Sequence, residues 1–168
     1  ADWRYTEGAP GGGRYSPLTD IDKSNADRLE VAWSFRHGDF YDGGWRPDYI
    51  NRGTSAESTP IVVDDTLYLT TPHNHVIALH PESGTLLWRF DPRISTAPPF
   101  ANMIINRGVA YWRGRHARGR CARRIFLATL DARLIALDAV SGEPCAEFGE
   151  GGTVDLLASL DRPLVDRA

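Results

Sequence analysis

The sequence predicts an all-β protein built from repeated four-stranded antiparallel units, and three observations support this prediction. The segment 77–88 returns 58 positions later as the segment 135–146, and each copy has the pattern of a strand, a tight Ser-Gly turn and a second strand. Several short segments alternate apolar and polar residues with a period of two, as half-buried strands do. The chain also contains 16 glycines and 11 prolines, which favour many turns over long helices.

Composition restricts the classes of function. With 168 residues and 42% hydrophobic content, the chain can form one domain with a core. A formal net charge of −3 gives no overall attraction to nucleic acid or to anionic lipid. No apolar run approaches the roughly 20 residues needed to span a bilayer. The chain begins at Ala1 without an initiator Met, which fits an exported protein after signal-peptide removal and fits a trimmed chain equally.

Residues 1–56 are predicted to be an N-terminal segment that completes a preceding unit. Gly, Pro, Asp and Ser are frequent at its start, and the stretch 29–35 then alternates large apolar with small or polar residues. Its Trp33 corresponds to Trp88 of the next unit. We therefore expect 29–35 to be the outermost strand of a preceding sheet.

Residues 57–92 are predicted to form the first complete unit, and residues 104–149 the second. The expected strands of the first unit are 60–63, 67–70, 75–79 and 86–90. Those of the second are 107–112, 125–129, 134–137 and a short fourth strand over 145–148, with 150–168 beginning the next connection. A four-stranded sheet cannot cover both of its faces alone, and radial stacking of such sheets solves this problem. The predicted architecture is therefore a β-propeller.

The repeat resembles that of the pyrroloquinoline quinone (PQQ) dependent dehydrogenases, in which an Ala-x-Asp-x-x-x-Gly-x-x-x-Trp motif recurs around an eight-bladed propeller. The matching residues are Ala78, Gly84 and Trp88 in the first copy, and Ala136, Asp138 and Gly142 in the second. His80 and Ala146 depart from the motif. Because Ala146 lacks an indole, we expect the second unit to dock less firmly at its outer edge, or through another contact. The resemblance implies that this chain is the N-terminal part, with two of about eight blades.

The resemblance extends beyond the repeat. The opening residues 2–3, 13–18 and 32–33 are similar to the opening of the family, and the segments 57–61 and 106–112 resemble two of its cofactor-site segments. This resemblance implies that Glu57 and Arg107 bind PQQ. PQQ is a planar ortho-quinone with three carboxylates, and an Arg guanidinium can bind a carboxylate or quinone oxygen through two hydrogen bonds. Glu57 can accept a hydrogen bond from the cofactor. The alternative is that Arg107 is a strand-edge surface residue and Glu57 a turn carboxylate.

The two cysteines, Cys121 and Cys145, are compatible with a disulfide or with a reduced pair, and composition favours neither. Alcohol and methanol dehydrogenases of the family carry adjacent cysteines where this chain has Ala101 and Asn102. The Arg-rich loop before Cys121 is more similar to the membrane-associated glucose and quinate dehydrogenase branch, although Met103 replaces a His of some glucose dehydrogenases. That branch implies a Cys121–Cys145 disulfide and an oxidising, periplasmic location, with association to the inner membrane.

The implied activity is oxidation of a sugar, polyol or other alcohol, with electrons passed to the membrane quinone pool. In the family, an Asp acts as general base and Ca²⁺ polarises the quinone carbonyl. The resemblance places that Asp and the Ca²⁺ ligands outside this chain, so no catalytic or metal-binding residue is assigned here and the chain alone is expected to be inactive. The expected partners are the substrate, the quinone and the remaining blades. The alternative is a non-catalytic propeller scaffold, like the outer-membrane assembly lipoproteins, in which Glu57 and Arg107 are not expected.

Two further motifs have competing interpretations. His73 and His75 occupy one face of a strand at a spacing that can chelate a metal, but a polar turn is favoured because no third ligand is near in sequence. The run 112–120 is basic with aromatic flanks and could bind RNA or an anionic lipid surface, but a solvated loop is favoured. The sequence has no phosphate loop, nucleophile elbow or Cys/His zinc spacing, and no nucleic-acid partner is expected.

Overall fold

The computed structural model describes residues 2–8, 10–40, 53–94, 103–116 and 118–158. Within these ranges the secondary structure consists of ten strands and a single 3-10 turn, Ala26–Arg28. The strands are β1 (Thr54–Ala56), β2 (Ile61–Val63), β3 (Thr66–Thr70), β4 (Val76–Leu79), β5 (Leu86–Phe90), β6 (Ile104–Asn106), β7 (Ala110–Arg113), β8 (Arg123–Ala128), β9 (Arg133–Asp138) and β10 (Thr153–Asp155). The described part of the chain contains no helix that is long and apolar enough to cross a membrane. The predicted all-β class is confirmed.

The first sheet has the strand order β2-β3-β4-β5 with every neighbouring pair antiparallel, as predicted for a meander. Its register places Tyr68 beside Ala78, and Ala78 beside Trp88. The first hairpin turns at Asp64 and Asp65, both of which have positive φ angles, of 48° and 56°. Two consecutive residues with left-handed backbone angles form a turn whose twist matches that of the flanking strands.

The second sheet confirms the first three predicted strands, but its fourth strand lies further along the chain than predicted. The order is β7-β8-β9-β10, and β10 pairs antiparallel with β9 through Val154 and Leu134. The predicted strand over 145–148 was wrong because this segment forms a turn. The backbone N–H of Phe148 donates to the carbonyl of Cys145 at 2.8 Å, and that of Gly152 donates to the carbonyl of Phe148 at 2.9 Å.

Trp33 and Trp88 each lie on the Ser-Gly turn of the unit that follows them along the chain. Trp33 contacts Gly84, and Trp88 contacts Gly142 in the same way: at either glycine an added Cβ would lie 2.5 Å from the indole Cε3. The indole N–H of Trp33 donates to the carbonyl of Pro81 at 2.9 Å, and that of Trp88 donates to the carbonyl of residue 139 at 3.2 Å.

The segment 29–35 is therefore positioned as the outer edge of a preceding unit, although the structure assigns no strand to it. A strand is defined by hydrogen bonds to a neighbour, and no strand pairs with 29–35 in the described ranges. Its Trp33 makes the same contact that Trp88 makes from β5. The same contact of a tryptophan with a glycine thus occurs twice, once between 29–35 and the first sheet and once between the two sheets.

The two sheets share one hydrophobic core, as expected if the units stack face to face. The buried side chains from both sheets are Ile61, Val63, Tyr68, Val76, Ala78, Val109, Ile125, Leu127, Ile135, Leu137 and Ala139. The Tyr68 hydroxyl crosses this core and donates to the carbonyl of Ala139 at 2.9 Å. Burial raises the pKa of Tyr68 to about 12. A second link is polar: the backbone N–H of Leu130 donates to Oδ1 of the fully buried Asn74 at 2.8 Å.

Candidate functional site

A short parallel pair of strands brings Glu57 and Arg107 together. β1 pairs with β6 in the register Thr54–Ile104 to Ala56–Asn106, and the next residue of each strand is Glu57 or Arg107. Parallel pairing in register places the corresponding residues of the two segments side by side. The sequence predicted both site residues but neither of these two strands.

Glu57 and Arg107 form an exposed ion pair. Arg107 Nη2 lies 3.1 Å from Glu57 Oε2, and the two side chains are 75% and 40% exposed. A pair this accessible to water contributes about 0–1 kcal/mol to folding. Both groups therefore remain available to a ligand, and the ion pair adds little to the stability of the fold.

The backbone around the pair is held more firmly than the side chains. The Thr59 N–H donates to the Arg107 carbonyl at 3.2 Å, and the Gly108 N–H donates to Asn106 Oδ1 at 3.0 Å. Gly108 has a φ of +127°, and a Cβ there would lie 3.0 Å from the Thr59 carbonyl oxygen. Glycine thus permits the two chain segments to approach closely.

The N-terminal segment completes a cavity of about 400 Å³ around the pair. The cavity is lined by Trp3, Thr6, Glu7, Arg14, Glu57, Thr59 and Arg107. Trp3 is fixed there by two backbone hydrogen bonds with Val62, of 2.7 and 2.9 Å. Arg14 lies 3.8 Å from Glu7, so the cavity contains two guanidiniums and two carboxylates.

This set of groups fits PQQ on chemical grounds. A flat tricarboxylate needs cations and hydrogen-bonding groups at its rim and a flat apolar surface beside it. Arg107 and Arg14 supply the cations, Glu57 and Glu7 supply acceptors, and the Trp3 indole supplies a flat surface. Sequence reasoning selected Glu57 and Arg107 but missed the lining residues of the N-terminal segment, whose only signal was the similarity of the opening to the family.

Comparison with known proteins identifies the family. The family profile of the PQQ glucose/ethanol/alcohol dehydrogenase β-propeller domain matches residues 3–167. The chain belongs to this PQQ β-propeller family. The predicted propeller fold is thereby confirmed.

Similar proteins are PQQ-family dehydrogenases several times longer than this chain. Quinoprotein glucose dehydrogenase A of Acinetobacter calcoaceticus is 32% identical over 169 residues, which cover 93% of this chain and 20% of that protein. Quinate/shikimate dehydrogenase (quinone) of Acinetobacter baylyi is 33% identical over 176 residues, covering 95% and 20%. The crystal structure of quinohemoprotein alcohol dehydrogenase from Comamonas testosteroni superposes with a TM-score of 0.74 at 26% identity, covering 96% and 20%. The chain thus spans about a fifth of the length of these relatives.

The PQQ-family chain contains a disulfide between Cys121 and Cys145, with Cα atoms 5.8 Å apart. In the described ranges, Cys121, Cys145 and Glu147 are the one group of three His, Cys, Asp or Glu residues whose potential ligand atoms all lie within 4.8 Å of one another. Its sulfurs are bonded to each other, so they cannot act as thiolate ligands. Glu147 is paired with Arg124 at 2.6 Å. No metal is assigned to this group.

The motif residue Asp138 organises the turn beside the disulfide. Its carboxylate accepts hydrogen bonds from the backbone N–H groups of Cys121 at 2.6 Å, Val140 at 3.0 Å and Ser141 at 2.9 Å. Burial by itself raises the pKa of Asp138, but these hydrogen bonds outweigh it and hold the pKa below its ordinary value. His80, which replaces this Asp in the first unit, is exposed.

His73 and His75 lie beside a carboxylate that the sequence did not indicate. The backbone N–H of His73 donates to Asp39 Oδ2 at 3.0 Å, and its ring Nδ1 makes a short hydrogen bond to Asp39 Oδ1. Arg89 donates to Nδ1 of His75 at 2.5 Å, which leaves the His75 Nε2 proton to point at Asp91, 3.2 Å away. The guanidinium occupies the lone pair that a metal would need, so the polar-turn interpretation is favoured.

The electrostatics of this cluster follow from its burial. Asp39 is 8% exposed. Burial raises its pKa, but hydrogen bonds from Thr71 and His73 outweigh this effect and lower the pKa below its ordinary value. Burial, followed by the neighbouring Arg89, lowers the pKa of His75. Ala101 and Asn102, which stand where some relatives have adjacent cysteines, lie outside the described residues. Met103 directly precedes β6.

Proposed function

We propose that the full-length protein containing this chain is a PQQ-dependent dehydrogenase that oxidises the CH–OH group of a sugar, polyol or other alcohol. The observation that carries the proposal is the Glu57–Arg107 pair, which two paired strands hold in one cavity of about 400 Å³. The names of the relatives support the reaction class, since they are glucose, quinate/shikimate and glycerol dehydrogenases.

The residues of this chain bind and orient the cofactor in this proposal. When bound, PQQ supplies the quinone that accepts the electrons of the alcohol. Arg107 holds a cofactor carboxylate or quinone oxygen, and its guanidinium fork fixes the direction of that group. Glu57 positions the guanidinium through the 3.1 Å contact and accepts a hydrogen bond from the cofactor rim. Trp3 covers one side of the cavity and excludes water there.

Several components of the proposed enzyme lie beyond these residues. The general-base Asp, the Ca²⁺ ligands and the remaining blades are proposed to come from elsewhere in the full-length protein. A membrane quinone as electron acceptor is supported by the name of the relative quinate/shikimate dehydrogenase (quinone). A periplasmic location is supported by the Cys121–Cys145 disulfide, because disulfides persist in oxidising compartments. Association with the inner membrane is proposed because a membrane quinone is the proposed electron acceptor.

The test is PQQ binding by the full-length protein and its Arg107→Gln variant, measured by equilibrium dialysis and by PQQ- and Ca²⁺-dependent dye reduction. Losing a charge-assisted hydrogen bond of about 1.5–3 kcal/mol should weaken PQQ binding by roughly 10- to 100-fold. The matched control is Arg28→Gln on the exposed 3-10 turn, which should bind PQQ like the wild type.

Two outcomes would contradict the proposal. Unchanged PQQ affinity in the Arg107→Gln variant would remove Arg107 from the cofactor site. A wild-type protein that binds no PQQ and reduces no dye with a panel of sugars, polyols and alcohols would favour the non-catalytic scaffold.

A further inference from the structure

The loop that joins β7 to β8 lies at the end of its sheet opposite the Glu57–Arg107 pair. Arg107 precedes β7, whereas the basic loop, residues 113–116 and 118–120, begins at the last residue of that strand. Four residues of extended strand separate the two ends by roughly 13 Å. The basic loop therefore has no part in the proposed cofactor cavity.

The arginines of this hairpin fall into two groups. Three of them pair with carboxylates within 3.0 Å: Arg120 with Glu143, Arg123 with Asp64, and Arg124 with Glu147. The other three, Arg113, Arg115 and Arg118, form no ion pair in the described part of the chain. The three unpaired arginines come first along the hairpin, whereas Arg120 lies at the end of the loop and Arg123 and Arg124 lie in β8.

The unpaired side chains converge on one concave site. Arg113, Gly114, Arg115, His116 and Arg118 line a cavity of about 370 Å³, and the lining includes no carboxylate. Gly114 is buried, while the basic side chains around it are exposed. Guanidinium forks match the oxygen geometry of phosphate, and a histidine adds a further donor. The chemistry of the cavity favours an oxyanion.

The structure holds this loop in position before any ligand binds. The disulfide ties Cys121, the residue after the basic loop, to Cys145, and the Cys121 N–H donates to Asp138 at 2.6 Å. The Gly114 N–H donates to the carbonyl of Ala122 at 3.0 Å, which closes the loop at its base. Ordering the loop in advance lowers the entropy cost of binding.

We propose that Arg113, Arg115, His116 and Arg118 form a binding site for a phosphate-type oxyanion, supplied by an anionic phospholipid headgroup or by a free phosphate. This site is independent of the dehydrogenase proposal, since an anion bound there leaves the Glu57–Arg107 cavity open at the other end of the sheet. The sequence analysis favoured a solvated loop for the run 112–120, in which these cations bind no ligand, and the proposal replaces that interpretation.

The experiment compares the full-length protein with the double variant Arg115→Gln/Arg118→Gln. Inorganic phosphate binding is measured by isothermal titration calorimetry. Lipid binding is measured by co-sedimentation with vesicles of equal phosphatidylglycerol and phosphatidylcholine, and with vesicles of phosphatidylcholine alone. Each lost arginine near an anionic surface costs about fivefold in affinity, so the double variant should bind the anionic vesicles about 25-fold more weakly. The matched control is Arg120→Gln, which removes a charge from the same loop but from a paired arginine.

The two arms distinguish the sources of the anion. If the wild type binds inorganic phosphate and the double variant does not, the site is supported with a free phosphate as its ligand. If the wild type binds only the anionic vesicles and the double variant binds them more weakly, the site is supported with a lipid headgroup as its ligand. The proposal is overturned if the wild type binds neither, if the double variant binds like the wild type, or if Arg120→Gln weakens binding as much. Tight binding to single-stranded RNA without binding to phosphate or anionic vesicles would also overturn it. An unchanged thermal unfolding midpoint shows that the variants are folded.

Discussion

The contact between Trp88 and Gly142 is predicted to be a main determinant of how one blade docks on the next. Gly142 is buried, has a φ of +74°, and lies directly under the indole of the preceding unit. Replacing Gly142 by alanine changes two things together, because it places a side chain in the left-handed region and inserts a methyl group into the interface.

The structure allows the two costs to be separated. Alanine in the left-handed region costs about 1 kcal/mol of stability. The added Cβ would lie 2.5 and 2.6 Å from two atoms of the Trp88 ring, and moving a packed indole costs about 2 kcal/mol. Gly142→Ala should therefore lower the free energy of unfolding by about 3 kcal/mol. Gly119 has a similar φ of +79°, and a Cβ added there would meet no atom within 4 Å, so Gly119→Ala should cost about 1 kcal/mol.

The assay is urea unfolding of the full-length protein, followed by tryptophan fluorescence, for these two variants and for Trp88→Ala with and without Gly142→Ala. Once the indole is removed, the methyl group has nothing to displace. The double-mutant cycle should therefore show a coupling of about 2 kcal/mol between the two positions. Equal destabilisation by Gly142→Ala and Gly119→Ala, or a coupling near zero, would refute the docking argument.

Two further predictions concern stability. The lowered pKa of Asp39 contributes stability that is present above the unfolded value near 3.9 and is lost as pH falls through the folded value. Asp39→Asn should therefore be less stable at neutral pH, and its free energy of unfolding should change less between roughly pH 5 and pH 3 in urea-unfolding titrations. A pH dependence with the slope of the wild type would contradict this. Replacing both Cys121 and Cys145 by serine should cost about 3 kcal/mol, because the bridge spans 24 residues of sequence separation; the same urea midpoint with and without the disulfide would contradict this.

Local patterns predicted most of the individual strands correctly. Short apolar segments bounded by turn residues predicted β2 to β5 and β7 to β9. Buried residues alternate with less buried ones in β2, β3 and β8, whereas all four residues of β4 are buried. The same reasoning failed at 145–148. There the repeat suggested a strand, but the disulfide at Cys145 and the hydrogen-bonded turn after it delay the fourth strand until β10.

The candidate site was only partly predictable. Glu57 and Arg107 were selected because their segments resemble a known family, and the structure places them 3.1 Å apart. The residues Trp3, Glu7 and Arg14 line the same cavity although they are more than 40 positions from Glu57. Asp39 likewise lies beside His73 and His75, which are more than 30 positions further along the chain. No periodic pattern encodes contacts of this kind, because they depend on where a long connection returns to the sheets.

The sequence by itself determined the repeat, the strand-and-turn pattern of each unit, and the family that this pattern resembles. These features depend on neighbouring residues along the chain: side-chain alternation, and glycines at turns that require a positive φ. Only the tertiary structure decided the parallel pairing of β1 with β6, the seating of each tryptophan on the next unit's glycine, and the convergence of three unpaired arginines at the far end of the second sheet. Each of these joins segments that the core and the hydrogen bonds between sheets hold together, so their geometry exists only after the units have packed.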